Sequence, residues 1–463
     1  MRVFLKFTQK CKIIYNNLLS KFHGKLMITM LIILFSSSLN LSFAILPIQH
    51  WQTPEGAKVY YIYAKEIPML DLRVTVDAGA FREDKDYGLA GLTARLLTMG
   101  AADLDEESFA VALDDLGSSI GVSAGNDTST LSLRSLNDAD ILMPSLEILK
   151  KMLTKPHFDP NILKREIDNT LVGLEGVDED QSAIASEALM HILYPDNALS
   201  TDSKMLTQSL PLLTQTKLQQ FFTRFYHANN SIIILVGDID LALAQQISSE
   251  ISTLLGKSSI EKLTYSFKIS EDKAVNLKID FNSPQSNVSL SHVGIERMHP
   301  DYLALSLGNH ILGSSGLNSR LSKEIREKRG LTYSIYSNFS AGRYQGPFTI
   351  GFSTKNESVD EAIALAKEEL IKFIENGPTA EELTLSKNNI IGGFALGLDS
   401  NRKLASALLS MGMYDLPLDY YESYQEQIKA ISADDIKAAF KKHVHPDKLN
   451  IVVVGGENIG GAK

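Results

Sequence analysis

Arg326 and Tyr333 stand seven residues apart in LGSSGLNSRLSKEIREKRGLTYSIYS, Leu312 to Ser337. A guanidinium offers donors in a fixed fork to carbonyl oxygens, and a phenol can donate to an oxyanion as it develops. The small, polar Gly/Ser opening predicts a loop leading into a helix of about a dozen residues, which Gly330 stops before a strand begins. On that helix Arg320, Glu324 and Arg329 read as surface charges. Other chemistries find no residues. The single cysteine is Cys11. The histidines beyond residue 44 are His50, His157, His191, His227, His292, His299, His310, His443 and His445. No pair of them has the His-x3-His spacing of a helical metal site, and no H-E-x-x-H occurs. His443-Val-His445 comes nearest, at a helix-to-strand turn, where capping or a surface role accounts for it. No G-x-S-x-G elbow and no phosphate loop is present.

A second stretch has the form of a catalytic helix without its chemistry. GLAGLTARLLTMGA, Gly88 to Ala101, has small residues, an apolar rhythm and a closing Met-Gly, but no histidine and no carboxylate. Its apolar face is enough to pack a domain.

The elements that position these residues occur twice. FFTRFYHANNSIIILVGDI (221–239) and AFKKHVHPDKLNIVVVGGE (439–457) each read as the end of an amphipathic helix, a turn with His, a buried apolar strand and a Gly. Phe222 matches Phe440, His227 matches His445 and Gly237 matches Gly455, each pair 218 residues apart. Upstream, Thr214 and Ser432 are the expected N-caps. DLRVTVDAGA (71–80) and NVSLSHVGIE (287–296) alternate as half-buried strands do. SSIGVSAGNDTSTLSLRS and TYSIYSNFSAGRYQGPFTIGFST each predict two strands, the second pair joined at AGRYQGP. Long helices follow at 139–153 and 359–377. Repetition at this length means two copies of one domain rather than a solenoid. The expected class is α+β: two tandem homologous domains, each a mostly antiparallel mixed sheet packed with helices. The expected bounds are 45–255 and 276–463, with 256–275 as linker.

The N-terminus is different. Residues 1–25 carry Arg2, Lys6, Lys10, Lys12, Lys21 and Lys25 and no acid. An apolar run, LMITMLIILF, and the small residues Ser42 and Ala44 follow, which predicts a secretory signal peptide over 1–44. A retained anchor is the alternative, although the run is short for a bilayer span. Cleavage leaves 39 basic against 55 acidic residues, a net charge of −16. That balance argues against nucleic acid and against stable association with an anionic membrane. The chain without its leader has no thiol, which suits export to an oxidising compartment, the periplasm first among them.

Two tandem α+β domains with these motifs resemble the pitrilysin/insulinase family of zinc peptidases, the inverzincins, which include mitochondrial processing peptidase. Active members carry H-x-x-E-H on the first helix, where two His bind zinc and the Glu is general base. A further Glu downstream completes the site. The motif falls here on Gly91-Leu92-Thr93-Ala94-Arg95. Gly91 and Arg95 stand at ligand positions and Ala94 at the base. Downstream, Glu166 matches an accessory acid, and the last ligand position reads Gly173, with Glu175 two residues on. One carboxylate cannot make a zinc site, and Arg95 repels a dication.

The resemblance therefore implies no metal and no catalytic residue in this chain alone. It assigns Arg326 and Tyr333 to substrate binding, across a cleft from zinc. Some family members work as two-chain complexes in which one chain carries zinc and the other supplies this pair. The implied function is the non-catalytic, substrate-binding subunit of an exported two-chain zinc metallopeptidase. Its partner is a homologous zinc-bearing chain, and its substrate a peptide or unfolded polypeptide. The alternative is a catalytically dead peptide-binding or scaffold protein acting without a peptidase partner.

Overall fold

The computed structural model describes residues 47–260, 267–269 and 274–456. The expected signal segment lies outside the described residues, as do 261–266 and 270–273 of the expected linker.

The first half contains β1 (Ile48–Gln52), β2 (Lys58–Tyr63) and β3 (Met69–Val76), then α1 (Leu89–Leu96) and α2 (Glu106–Asp115). The hairpin β4 (Ser119–Ala124) and β5 (Ser129–Leu136) leads into α3 (Ala139–Thr154), α4 (Pro160–Glu175) and α5 (Gln181–Leu193). After α6 (Ser203–Ser209) and α7 (Gln215–Phe225) come β6 (Ser231–Gly237) and α8 (Leu241–Leu255). The six strands lie in the order β1-β2-β6-β3-β5-β4. Every pair is antiparallel except β2 with β6.

The second half repeats this plan. It has β7 (Asn276–Ile279), β8 (Ser283–Val293), α9 (Tyr302–Asn309), β9 (Thr332–Phe339) and β10 (Pro347–Lys355). Then follow α10 (Val359–Asn376), α11 (Ala380–Phe394), α12 (Asn401–Tyr414), α13 (Tyr420–Ala430), α14 (Ala433–His443) and β11 (Asn450–Gly456). The order β7-β11-β8-β10-β9 matches β2-β6-β3-β5-β4 position for position, again with one parallel pair, β7 with β11. The α+β class and its duplication are as the sequence implies. The caps also fall where expected: Thr214 accepts the Lys217 N–H and Ser432 the Asp435 N–H.

One helix of each half crosses to cover the other half's sheet. Leu404, Ala405, Leu408 and Met411 of α12 cluster with Tyr60 and Ile62 of β2 and Ile232, Ile234 and Val236 of β6. Ala185, Leu189 and Leu193 of α5 cluster with Val452 and Val454 of β11. Helices on both faces explain why SIIILVG is buried at all seven positions of β6 and does not alternate. The approach of α12 is close. A Cβ on Gly412 would stand 2.9 Å from both Ile232 Cγ2 and Tyr60 Cε2. In the linker, Phe267 packs against Phe81 and Tyr344, with ring centroids 5.0 and 5.2 Å away. Among the described residues no helix is long and apolar enough to cross a membrane.

Candidate functional site

Helix α1 keeps its packing. Leu89, Ala90, Leu92 and Leu96 enter the core of the first half, and Ala94 is buried with them. Gly88 caps the helix with a positive φ of 90° and no side chain. The missing cap is supplied from Glu83, whose carboxylate accepts the Gly88 N–H at 3.0 Å and the Ala90 N–H at 2.7 Å. Burial pushes this carboxyl up to about 7, against the pull of those two amides.

The exposed positions of α1 are Gly91 and Arg95. A side chain at Gly91 would meet nothing within 4 Å, and the same is true at Gly173 on α4. Arg95 reaches across to α4, which lies beside α1. Its Nη1 stands 3.3 Å from Glu166 Oε2 and 3.3 Å from Thr170 Oγ1. Glu166 is buried on α4 and also takes Arg165 Nε at 3.0 Å on its other oxygen. Arg165 in turn grips Glu106 of α2 through two bonds of 2.9 and 2.7 Å. Two guanidiniums thus balance two carboxylates across α1, α2 and α4. The structure brings Gly91, Arg95 and Glu166 to one place, while Glu175 lies exposed near the end of α4. The residues present do not fit zinc. Among the described residues the Glu166 carboxylate takes Arg95, Arg165 and Asn169 and no imidazole, and the Arg95 guanidinium already holds the cation's place beside it.

The second half presents its pair differently. The expected dozen-residue helix is shorter: a polar loop with a turn at Gly316–Asn318, then helix from Arg320 to Glu327. From Ser322 to Glu327 it is wound as a π-turn, with the Lys328 N–H donating to the Lys323 carbonyl. Such turns carry one extra residue and re-aim the side chains that follow. Ile325 is fully buried and anchors the turn. Gly330, at φ 65°, stops it, and its N–H donates to the Arg326 carbonyl. Arg326 is half-buried. Tyr333, one residue into β9, is 90% exposed. Among the described residues neither side chain has a hydrogen-bond partner. β9 is an edge strand, and Tyr336, further along it, is also exposed.

Arg320 corrects its reading as a surface charge. It binds Glu382 of α11 through both ends of its fork, at 2.7 and 2.6 Å, and donates to the Gly377 carbonyl. Its guanidinium also lies over the Phe373 ring. Burial alone would raise the Glu382 carboxyl, but Arg320 and the Thr379 amide outweigh it and hold it at about 2. No local signal shows this pair, since 62 residues separate its members. Glu324 pairs with Lys328 on the surface, and Arg329 is exposed, as expected.

A duplicated α+β scaffold, with Arg95 of α1 bonded to Glu166 of α4, is the architecture that the resemblance to the pitrilysin/insulinase family implies. Comparison with known proteins places it. Residues 58–205 match the model of insulinase, peptidase family M16, and residues 213–390 that of the peptidase M16 inactive domain. The chain belongs to peptidase family M16. A crystal structure of a peptidase M16 inactive domain from Pseudomonas fluorescens is 36% identical, with TM-score 0.83 over 89% of this chain and 98% of that one. The "Non-peptidase homolog YmxG" of Helicobacter pylori is 25% identical over 87% of this chain and 93% of its own length. A protease structure from the same organism shares the fold, with TM-score 0.78 at 18% identity over 89% of this chain and 100% of that one.

Proposed function

We propose that this chain is the non-catalytic, substrate-binding subunit of an exported two-chain zinc metallopeptidase that degrades or processes peptides. Its partner is a homologous zinc-bearing subunit, and Arg326 and Tyr333 are lent to that partner's zinc site. One observation carries the reading. Tyr333 is exposed on the edge strand β9, seven residues after the half-buried Arg326, while the helix that holds zinc in active family members carries Arg95 bonded to Glu166. A side chain 90% exposed contributes little to this fold, so its role lies in what it touches when another molecule is present. The guanidinium suits a substrate carbonyl, and the phenol suits the oxyanion formed when zinc-bound water attacks. The periplasm is the proposed compartment.

The test is Tyr333→Phe and Arg326→Ala in the mixed complex with the zinc-bearing homologue. Removal of one oxyanion donor lowers turnover by about 10²-fold or more. Assembly and unfolding midpoint stay at the wild-type level. Unchanged turnover refutes the role given to the pair. Failure to find any homologue that assembles with the chain favours the peptide-binding or scaffold protein instead.

A further inference from the structure

Away from α1, three candidate ligands meet where α9 begins and α14 ends. His299 and Asp301 lie in the loop after β8, and Asp301 is the N-cap position of α9. His443 closes α14. Their ligand atoms all lie within 4.8 Å of one another. Asp301 Oδ2 is 2.7 Å from His443 Nε2 and 3.8 Å from His299 Nδ1. The two imidazoles stand edge to face, 4.6 Å between centroids. We propose that His299, Asp301 and His443 bind one zinc-class divalent cation through two imidazole nitrogens and one carboxylate oxygen.

The geometry fits that ion. Zinc holds nitrogen and oxygen ligands at about 2.0–2.2 Å in a tetrahedron, so its ligand atoms sit roughly 3.3 Å apart. The separations of 2.7 and 3.8 Å bracket that value, and the third, between the two imidazole nitrogens, is within 4.8 Å. Two imidazoles and a carboxylate match zinc and its borderline neighbours better than calcium or magnesium, which prefer oxygen alone. Three protein ligands leave a fourth position for water. The nitrogen of His299 that faces Asp301 accepts the Asp301 N–H at 3.1 Å and is therefore unprotonated. It gives up that bond to the metal. His443 Nε2 gives up its hydrogen bond to the carboxylate in the same way, and the neutral ring then carries its proton on Nδ1.

The scaffold is rigid at this point. A Cβ on Gly308 of α9 would stand 2.4 Å from Phe440 Cε2 and 2.7 Å from Ile436 Cγ2 of α14, so the two helices are in direct contact. A ligand set held where one helix starts and another, packed against it, ends is preorganised. One group competes. Lys442 Nζ stands 2.8 Å from Asp301 Oδ2, on a side chain 63% exposed that can swing to solvent. The ion would replace this ammonium as the countercharge of Asp301 and tie the start of α9 to the end of α14.

The site is tested with zinc alone. The purified protein is dialysed against Zn²⁺ with a competing chelator, and bound metal is counted. The expected result is one zinc per wild-type chain, with affinity lowered more than about 100-fold in both His299→Ala and His443→Ala. Lys442→Ala removes the competitor and leaves binding equal or tighter. Circular dichroism of each variant reports that it is folded. His299→Ala, at a partly exposed loop position, serves where His443→Ala does not fold. No zinc on the wild type overturns the proposal. So does zinc retained by both histidine variants, or zinc lost in Glu166→Gln, which would assign the metal to α1 and α4. If Asp301 is only an ion-pair partner of Lys442 and His443, no variant changes the zinc count from zero.

Discussion

Glu83 should make the first half less stable as pH rises. The residue is 6% exposed, and burial raises its carboxyl from 4.5 to about 7. In the unfolded chain it titrates at its ordinary value, so between these two pH values the folded state binds the proton more tightly. The stabilising contribution is complete below the unfolded value and is lost as pH rises through about 7. The gap corresponds to about 3 kcal/mol. His292 works in the opposite sense. Burial lowers its ring from 6.5 to about 4, so its contribution is present above 6.5 and is lost as pH falls. The two cancel in the wild type over much of the same window, and a variant is needed to separate them. Glu83→Gln removes the titration and keeps one oxygen for the Gly88 or Ala90 amide. Urea unfolding of both proteins at about pH 5 and about pH 8 should show the wild type losing about 2.5 kcal/mol relative to the variant across that interval, since part of the gap lies below pH 5. Parallel behaviour would refute the reasoning. It would mean that the two amides and the positive end of α1 hold the carboxylate charged despite burial.

Two other perturbations test the packing. Leu408→Ala, in the helix that crosses to the first sheet, should cost about 2–5 kcal/mol and speed hydrogen exchange at β6 amides, which lie in the other half. Unchanged exchange at β6 would contradict the crossing. Arg320→Ala should cost about 3 kcal/mol by leaving Glu382 without its guanidinium, and Arg320→Lys should not restore it, because lysine has no fork. A urea midpoint within error of wild type would return Arg320 to the surface.

Much of the fold is legible in residues close together in the chain. The alternation of DLRVTVDAGA, the apolar run of SIIILVG and the caps Thr214 and Ser432 each depend on neighbours within a few positions. The 218-residue offset then makes one domain plan serve twice. Some of the candidate site is legible too. Gly91 and Arg95 lie on the exposed side of α1 with Ala94 buried between them, and Tyr333 follows the glycine that stops its helix. The π-turn was not legible, because one extra residue in a helical turn leaves no composition signal. Neither was the Glu83 cap, whose carboxylate reaches forward to amides five and seven residues on.

By itself, the sequence determined which segments become helix or strand, that the plan is duplicated, and that α1 has no imidazole to offer. These follow from periodicity, capping and residue chemistry, which act over one or two turns. The tertiary structure alone decided partners. An apolar stripe on α5 or α12 requires burial but does not say on which sheet, and each lies on the sheet of the opposite half. A charge does not name its counterion either. Arg95 found Glu166 across 71 residues, Arg320 found Glu382 across 62, and His443 found Asp301 across 142. Coulomb attraction depends on distance in space, and only the folded chain sets that distance.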